Sequence, residues 1–446
     1  MERVMYSEDG QLDTVEAYVV FGTKITVRKM AYLYDKTGRQ TELREVVGGE
    51  GRSVVYYYYD RIEELEKQDV FSVISQPYRE RMSNLRGRLV AKVAVNYVNG
   101  RELKVGEVYS YDADGRVTCK EQAISGYPMF QENLYTYDVH GKLTHDDFYY
   151  AGDNILKRYN YDRLGRLASV EQGKLQPGNT YVFTMLSSTT YNDLGELSGK
   201  DFSTITPDFQ TTYDYDILGR ITDITSGPSG TALFSESIRN AVTDSSGYTV
   251  GGSVGSVNYT YAVGGSSYTH NEHYNYDDLN RLASGERAVR VGSAEAGTDP
   301  FNYSYDILGR FTSKEEGASN LTDYTYYSGV NVDGNNVLGT SRLKYTSKNA
   351  STGKNYLYDR IGNCAVDFTR NMVAEYDWRD MPIAFRFYTN LEKAGLTGDI
   401  RGNYMGDDLY GYIDSKVDDG TLTLRESVIM LYNADGDRVC KMEVQE

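Results

Sequence analysis

The chain has 446 residues, of which 25 % are charged and 40 % hydrophobic, and its 64 acidic and 47 basic residues give a net charge of −17. This acidic balance argues against a nucleic-acid partner, because phosphate binding needs clustered Lys and Arg. No apolar run reaches the roughly 18 residues that span a bilayer. Three distant cysteines, Cys119, Cys364 and Cys440, predict neither a disulfide framework nor a zinc site.

One phrase, Tyr-x-Tyr-Asp-x-x-Gly-Arg-Leu, recurs nine times in exact or related form. The clearest copies begin at Tyr109, Tyr159, Tyr213 and Tyr303, and looser copies begin at Tyr32, Tyr135, Thr189, Tyr274 and Tyr356. An internal repeat indicates a fold built from one recurring supersecondary unit. The repeat also accounts for the 43 tyrosines of the chain.

Each copy predicts a β-hairpin. Tyr residues two positions apart lie on the same face of a strand. The Asp and Gly that follow are typical of a turn, in which Asp accepts backbone hydrogen bonds and Gly adopts a positive φ. Asn280 replaces Gly in one copy, and Asn is the residue that best tolerates the same conformation. The Arg and aliphatic residue after the turn begin a return strand, so we expect strand, four- or five-residue turn, strand.

Weaker copies fill the wider gaps between the nine. They lie at residues 5–12, 57–60, 98–101, 324–327, 376–377 and 432–439. Because repeat units pack on their neighbours, a long chain of this kind need not divide into separate domains. We therefore expect a single array over residues 1–446, with an all-β fold of hairpins side by side.

Two segments depart from the repeat in chain order. Residues 61–70 favour a short helix, within an excursion near 61–90. Residues 222–273 form the loosest section, and we interpret the Gly/Ser-rich pieces at 226–230, 251–256 and 264–267 as loops around one weak hairpin at 258–263.

Possible chemical motifs are few. Gly251-Gly252-Ser253-Val254-Gly255 fits the nucleophile-elbow pattern, but a strand-like segment follows where that motif needs a helix, so a Gly/Ser loop is the better interpretation. The histidines His140, His145, His270 and His273 are too few and badly spaced for a metal site. We therefore predict no catalytic, cofactor-binding or metal-binding residues, and no enzyme.

The remaining charged groups also have structural explanations. Asp-rich turns at 112–115 and 435–437 resemble calcium loops without the closing Glu, so the turn itself explains the Asp. A basic stretch could bind an anion, although a solvated face explains it at least as well; it comprises Arg79, Arg81, Arg86, Arg88 and Lys92. The tyrosine stripes could bind sugars, but cross-strand packing is the favoured interpretation.

The repeated phrase resembles the tyrosine-aspartate (YD) repeat of the RHS family, which occurs in bacterial polymorphic toxins, in the C component of Tc toxins and in teneurins. The resemblance covers nearly the whole chain, and residues 83–89 followed by 109–117 are closer to the bacterial branch. It implies a long sheet that spirals into a hollow shell around a toxic or disordered polypeptide.

Family features at the end of such arrays are missing. They comprise a core with Asp-Pro motifs, an aspartyl self-cleavage site and a variable toxin domain. The single Asp-Pro here, Asp299-Pro300, lies in mid-array, and the chain ends soon after the repeat at Tyr432. Cleavage and toxicity are therefore not carried over, and we expect a section of a larger shell or a reduced relative of one.

The resulting hypothesis is a non-enzymatic shell segment that encapsulates or scaffolds a polypeptide cargo such as a C-terminal toxin. Its partners would be that cargo and the rest of a larger RHS shell, with self-association through open sheet edges. We expect it to be secreted or at the cell surface as part of a larger exported protein. The alternatives are a cell-surface adhesin or carbohydrate-binding repeat module and, less favoured, an enzyme within residues 222–273.

Overall fold

The structure is a computed structural model. It describes residues 2–21, 23–47, 50–63, 65, 69–73, 82–98, 100–127, 130–150, 152–176, 180–202, 208–243, 249–317, 320–327, 341–348, 356–359, 362–396 and 407–445. Strands dominate these residues, which confirms the predicted all-β fold of repeated hairpins.

The first 24 strands belong to one sheet. They are β1 (Glu2–Tyr6), β2 (Leu12–Phe21), β3 (Thr23–Tyr34), β4 (Gln40–Val47), β5 (Glu50–Tyr59), β6 (Leu89–Val98), β7 (Arg101–Tyr111), β8 (Val117–Ile124), β9 (Phe130–Tyr137), β10 (Leu143–Tyr150), β11 (Asp153–Tyr161), β12 (Leu167–Gln176), β13 (Thr180–Tyr191), β14 (Leu197–Phe202), β15 (Phe209–Tyr215), β16 (Ile221–Pro228), β17 (Phe234–Thr243), β18 (Thr249–Val263), β19 (Ser266–Tyr276), β20 (Leu282–Val291), β21 (Ala294–Tyr305), β22 (Phe311–Glu316), β23 (Leu321–Tyr326) and β24 (Leu343–Thr346).

The remaining six strands form a second sheet. They are β25 (Tyr356–Tyr358), β26 (Cys364–Asp367), β27 (Met372–Tyr376), β28 (Pro382–Tyr388), β29 (Leu424–Tyr432) and β30 (Arg438–Gln445). Within the described ranges, one α-helix, α1 (Asp407–Asp418), and 3-10 helices at Asp69–Val73 and Leu391–Ala394 accompany the strands.

Consecutive strands pair antiparallel, and each repeat copy forms the turn of a hairpin. In the copy at Tyr159, Tyr161 pairs with Leu167 and Asn160 with Ser169, so Ala168 is a β-bulge directly after a five-residue turn. The same register shift follows the other repeat turns, for example at Tyr215 and Tyr305. The predicted turn geometry is confirmed, since every glycine of the repeat slot has a positive φ and Asn280, its replacement, has φ 59°.

The chain divides into two compact units. Unit 1 comprises residues 1–135, 148–153 and 325–446, and unit 2 comprises residues 136–147 and 154–324. In unit 1 the second sheet packs on β6 and β7 through a buried cluster that includes Val98, Val105, Ile383 and Leu431. Helix α1 buries Leu409 and Ile413 on the second sheet, against residues such as Val366 and Tyr388. Unit 1 is therefore a layered structure with hydrophobic cores.

Unit 2 is organised differently. The buried hydrophobic residues among those described in unit 2 are Leu156 and Phe301, and the rest of its apolar side chains are half-buried or exposed. Most of its strand residues keep partial contact with solvent on either face. Unit 2 is thus one layer of sheet. Hydrogen bonds and aromatic contacts along the layer have to supply the stability that a hydrophobic core supplies in unit 1.

Two local expectations need correction. Residues 251–256, expected as a loop, lie inside β18. Gly251 and Ser256 pair with Ala241 and Arg239 of β17 on either side of a register shift, and Ser256 also pairs with His273 of β19, so strand pairing at the two ends of the segment overrides the weak strand propensity of Gly and Ser. The helix expected at 61–70 is represented by 3-10 turns, the longest of which is Asp69–Val73; residues 64 and 66–68 lie outside the described residues.

Candidate functional site

The repeat turn is a closed hydrogen-bonded unit centred on its Asp. In the copy at Asp162, Oδ1 accepts the backbone N–H groups of Leu164 (2.9 Å) and Arg166 (2.8 Å), and Oδ2 accepts Arg166 Nε at 2.8 Å. The Gly165 N–H donates to the Asp162 carbonyl at 2.9 Å. The turns at Asp216, Asp277 and Asp306 repeat these contacts. The carboxylate is therefore committed to the turn.

The second tyrosine of eight repeats ties its hairpin to the preceding one. Its hydroxyl donates to a backbone carbonyl of that hairpin at 2.6–2.9 Å, and in every pair except Tyr276 with Val254 the acceptor lies just after the preceding turn. The pairs are Tyr34 to Leu12, Tyr59 to Gln40, Tyr111 to Leu89, Tyr161 to Leu143, Tyr191 to Leu167, Tyr215 to Leu197, Tyr276 to Val254 and Tyr305 to Leu282. This ladder of phenol-to-carbonyl bonds explains why the repeat needs Tyr and not Phe.

The basic residue at the end of several turns makes a second link. The Arg166 guanidinium lies 4.2 Å from the ring centroid of Tyr191, and Arg281 lies 4.6 Å from that of Tyr305. Cationic groups at this distance from a ring are attracted to its face. Each Arg thus binds the Asp of its own turn and the Tyr of the next repeat.

Two repeats exchange the donor and acceptor of the turn. Asn192 stands in the Asp slot and donates from Nδ2 to Glu196 at 2.7 Å, while its Oδ1 still accepts the backbone N–H groups of Leu194 and Glu196. Asn433 and Asp437 repeat the exchange. The turn therefore requires an oxygen for the backbone and a complementary side-chain pair, rather than a particular charge.

The electrostatic consequences are uniform. Hydrogen bonds from the backbone and side chain of Arg220 hold the pKa of Asp216 below its ordinary value, and Arg166 acts in the same way on Asp162. Burial raises the pKa of the ladder tyrosines Tyr215 and Tyr276. Each group is thereby held in its common state, an ionised Asp or a neutral Tyr, which suits a structural role.

A buried polar cluster in unit 1 joins its two sheets. The Glu107 carboxylate accepts hydrogen bonds from Lys120 Nζ (2.6 Å), Tyr109 Oη (3.1 Å), Gln122 Nε2 (3.2 Å) and Asn433 Nδ2 (3.2 Å). Burial, followed by the charge of Glu107, raises the pKa of Tyr109. Asn433 comes from the last repeat turn, so the cluster fastens that turn to β7 and β8.

Asn96 makes the neighbouring fastening. Its Oδ1 accepts the Tyr432 N–H at 3.0 Å, and its Nδ2 donates to the Tyr432 carbonyl at 3.1 Å. The side chain is buried, and it copies the hydrogen bonds of a β-bridge at the point where β29 leaves its own ladder. Lys92, close by, forms a more exposed ion pair with Asp435 at 2.6 Å.

Unit 1 also contains a cavity of about 400 Å³ between β5 and β6, the second sheet and α1. Its lining combines aromatic and charged side chains, namely Tyr97, Tyr376, Trp378, Tyr410, Glu45, Arg52, Glu375, Asp377, Arg386 and Asp414. Arg386 bridges Glu375 (3.2 Å) and Asp414 (3.1 Å). Burial raises the pKa of Tyr97 to about 12. We call this space the Trp378 cavity.

The aromatic stripes of unit 2 are packed against themselves. On β18 and β19 the ring centroids of Tyr259 and His270 lie 4.5 Å apart, and those of Tyr261 and Tyr268 lie 5.2 Å apart, with nearly parallel planes. A ring whose face is covered by another ring does not offer that face to a sugar. The stack therefore acts as cross-strand packing.

The nucleophile-elbow pattern is not an elbow. Ser253 lies within β18, and its Oγ donates to Asn280 Oδ1 at 2.6 Å, in the turn of the following repeat. A nucleophilic serine needs a strand-to-helix turn and a histidine within hydrogen-bond reach. Ser253 here serves a contact between hairpins.

The other polar candidates have structural partners. His270 is stacked on Tyr259, and the backbone N–H of His140 donates to Asp138 Oδ1. In the calcium-like turns, Asp112 and Asp114 both bind Arg116. Across the described ranges, no group of three or more His, Cys, Asp or Glu side chains is placed to hold a metal ion, and no helix there is long and apolar enough to cross a membrane.

The structure also shows the partners of the basic stretch and the burial of the cysteines. Arg88 donates to the backbone of Asn84 and Asp112, and Lys92 binds Asp435; Arg79 and Arg81 lie outside the described residues. Cys119 is buried, Cys364 and Cys440 are half-buried, and all three are free thiols. Burial raises the pKa of the Cys364 thiol to about 12, so it stays protonated and unreactive.

Sequence reasoning missed the Trp378 cavity and the fastening by Asn96 and Asn433. Both bring together residues far apart in the chain, which no local pattern reports. A weak signal existed, because the only tryptophan of the chain occupies a repeat-turn position and Asn433 replaces the Asp of its turn. Asp299-Pro300 lies in β21, paired with Arg287 and Glu286 of β20.

Comparison with known proteins supports the family resemblance at the level of the fold. No family model and no curated protein sequence matches the chain. It superposes over 100 % of its length on a chain of the Photorhabdus luminescens Tc holotoxin pore containing a TccC3 variant, with 15 % identity and a TM-score of 0.65. Crystal structures of TcdB2-TccC3-Cdc42 and TcdB2-TccC3-TEV give 14 % identity and TM-scores of 0.64 and 0.59.

The chain covers 19 % of each of these chains, so it spans about a fifth of their length. The resemblance to RHS shells of Tc toxins, first indicated by the repeat, is thus confirmed in three dimensions. The chain has the fold of a portion of such a shell.

Proposed function

We propose that this chain is a non-enzymatic wall segment of a β-shell that encloses or scaffolds a polypeptide. The observation that carries the proposal is the superposition of the whole chain on Tc toxin chains about five times as long. A segment with that fold is suited to act as part of a larger wall. Its partners would then be the rest of the shell and the enclosed chain, and the assembly would be exported or displayed at the cell surface.

The architecture of unit 2 supports this role. A single-layer sheet has two faces, and a hydrophobic core covers neither in unit 2. Its side chains are mostly half-buried Tyr, Thr, Ser, Asp and Glu, and the tyrosine hydroxyls of the ladder are already hydrogen-bonded. Such a face offers many weak contacts and no deep apolar site. It could hold an unfolded chain without giving it a core to fold on.

The proposal is tested on the full-length natural gene product. We expect a polypeptide to co-purify with it and to resist protease until the shell is opened by mild denaturant, as followed by mass spectrometry. A particle that contains no polypeptide, or a bound polypeptide digested as fast as the free one, would contradict containment. The Ser253→Ala variant should leave any hydrolase activity of the preparation unchanged, and a loss would revive the enzyme hypothesis.

A second candidate function is favoured by the Trp378 cavity. Its volume of about 400 Å³ and its mixed aromatic and charged lining suit a mono- or disaccharide, in keeping with the adhesin or carbohydrate-binding alternative. Because Trp378 is the only tryptophan, its fluorescence reports this site directly. Saturable quenching by a sugar, lost in Tyr97→Ala, would support glycan binding. A flat titration across neutral and acidic sugars would exclude it.

A further inference from the structure

The repeat turns of unit 2 present large aliphatic side chains to solvent. In four successive turns, at residues 138–142, 162–166, 192–196 and 216–220, the exposed fractions are 94 % for Val139, 78 % for Leu164, 82 % for Leu194, 98 % for Ile217 and 72 % for Leu218. Single exposed apolar residues need no explanation. A row of them at the second or third position of successive turns forms a contiguous apolar strip, which marks an interaction surface. We call these four turns the apolar edge.

The turn itself does not need these side chains. Unit 1 builds the same turn with Lys36-Thr37, Ala113-Asp114 and Ala434-Asp435 at the corresponding positions. Those turns keep the characteristic backbone bond between the glycine N–H and the carbonyl at the head of the turn, at 3.0, 3.2 and 3.2 Å. The aliphatic residues therefore contribute nothing that the turn geometry requires, and their exposure in unit 2 indicates contact with another surface.

The spacing of the apolar edge is fixed. The tyrosine ladder ties each of its turns to the next, through Tyr161, Tyr191 and Tyr215. Successive turns are two strands apart, or about 10 Å, so the four turns span about 30 Å. A surface that covers them has to repeat with the same period. The edge of another repeat sheet meets that requirement, and so does this same edge in a second copy.

The hairpin of β17 and β18 bounds the apolar edge on one side. Its two strands extend to Thr243 and Thr249, beyond Val254. The Val254 carbonyl accepts the Tyr276 hydroxyl, so Val254 occupies the position that the first residue after the turn has in the neighbouring hairpins. This extension separates the four turns from the later ones and limits a straight contact to the four.

Charge on the apolar edge is self-complementary. The two inner turns carry the exposed residues Arg163 and Asp193 at equivalent positions, beside Leu164 and Leu194. A two-fold axis between these turns would place Arg163 of one copy opposite Asp193 of the other, twice, with Val139 opposite Ile217 at both ends. A parallel, in-register contact would instead oppose like charges.

We propose that two copies of this chain associate through their apolar edges, antiparallel about that two-fold axis. Five aliphatic side chains at roughly 100 Å² each would bury about 1,000 Å² in total over both copies, at the lower limit for a specific interface. The dimer is therefore weak and reversible. It differs from self-association through unpaired strand edges, because the turns carry it and it has a defined register.

Charge exchange tests this interface. In a sedimentation concentration series on the full chain, Arg163→Asp and Asp193→Arg should each raise the dissociation constant at least about tenfold, since each opposes like charges twice. The double variant, Arg163→Asp with Asp193→Arg, should restore it to within about threefold of the unchanged chain. Neither side chain belongs to the turn hydrogen bonds, and hydrogen exchange verifies that the hairpins are intact.

A second variant separates the apolar contribution. Leu164→Asn with Leu194→Asn should abolish the dimer, whereas Ala113→Asn, at the neighbouring position of a repeat turn in unit 1, should leave it unchanged. A chain that is monomeric at all concentrations would overturn the proposal. So would a dimer that survives both single charge changes, because its interface would then lie elsewhere, for example at the strand edges.

Discussion

The tyrosine hydroxyl is the side-chain group that joins one repeat to the next. A hydrogen bond of this kind contributes about 0.5–1.5 kcal/mol, and in a repeat array such terms add along the chain. We expect Tyr215→Phe, which removes the bond to the Leu197 carbonyl, to lower local stability by about 1 kcal/mol. Hydrogen exchange of residues 190–230 measures it as faster amide exchange. Tyr213→Phe, on the same strand, is the control and should change exchange less.

The turn carboxylates make unit 2 sensitive to acid. Asp162, Asp216 and Asp277 have pKa values lowered by hydrogen bonds, first of all from the backbone N–H of the turn Arg. A lowered folded-state pKa contributes stability above the unfolded value of about 3.9, which is lost as pH falls through the folded value.

We therefore expect amide protection in unit 2 to decline below about pH 4, once intrinsic exchange rates are corrected for pH. Asp216→Asn should weaken this decline around its own turn. The exposed carboxylate Asp193 provides the control, since Asp193→Asn should keep the decline of the unchanged chain. Equal acid sensitivity in Asp216→Asn and the unchanged chain would contradict the role given to the turn carboxylate.

At the residue scale, the sequence predicted the conformation of the turn well but did not predict the contacts between neighbouring repeats. The Asp and Gly positions of the repeat predicted a positive-φ turn, because both residues determine backbone structure only a few residues away. The acceptor of Tyr305, the Leu282 carbonyl, lies in the preceding repeat, and a pattern of identical repeats does not show which neighbour a side chain reaches.

At the scale of elements, Asn96 makes the main link between β29 and β6. Asn96→Ala would leave the buried N–H and carbonyl of Tyr432 without these partners, so we expect a loss of about 2–3 kcal/mol. Denaturant unfolding followed by Trp378 fluorescence measures it, because Trp378 lies in the same unit. Lys92→Ala removes a more exposed ion pair nearby and should cost less than about 1 kcal/mol. Equal effects would show that Asn96 is not the main fastening.

Two glycines should respond to alanine in opposite directions. A Cβ on Gly285 would lie 2.1 Å from the His273 carbonyl oxygen and 2.3 Å from Phe301 Cζ, so Gly285→Ala should destabilise unit 2 by about 1–3 kcal/mol. A Cβ on Gly411, inside α1, would meet nothing within 4 Å, so Gly411→Ala should stabilise unit 1 by up to about 1 kcal/mol.

Hydrogen exchange of the amides in each unit measures the change in stability that each glycine variant causes. A stabilising Gly285→Ala would mean that β20 and Phe301 do not pack as described.

The strands were largely predictable because their repeat is explicit, whereas α1 and the Trp378 cavity were not. Helix α1 lies outside the repeat and is held by tertiary contacts of Leu409 and Ile413. In β18, pairing of Gly251 and Ser256 with β17 imposes strand structure on a glycine-rich sequence that suggested a loop. In both cases tertiary context decided the outcome, and local propensity did not.

For the whole molecule, the contrast between the units is the main result. Unit 1 has hydrophobic cores and buried polar fastenings, while unit 2 is a single layer held by turns, tyrosines and ladders. A single-layer sheet gains little stability from a hydrophobic core, so it suits the wall of a larger assembly better than a free-standing protein. The central claim is therefore that the two faces of unit 2 have different neighbours in the complete assembly.

Photo-cross-linking from the two faces of β15 tests this claim most directly. Tyr213 lies on one face of the strand and Asp214 on the other, because side chains alternate. A photoreactive residue at each position, in the full-length gene product, should cross-link to an enclosed polypeptide from one face and not from the other. Cross-links from neither face, or equally from both, would contradict the account of this chain as a shell wall.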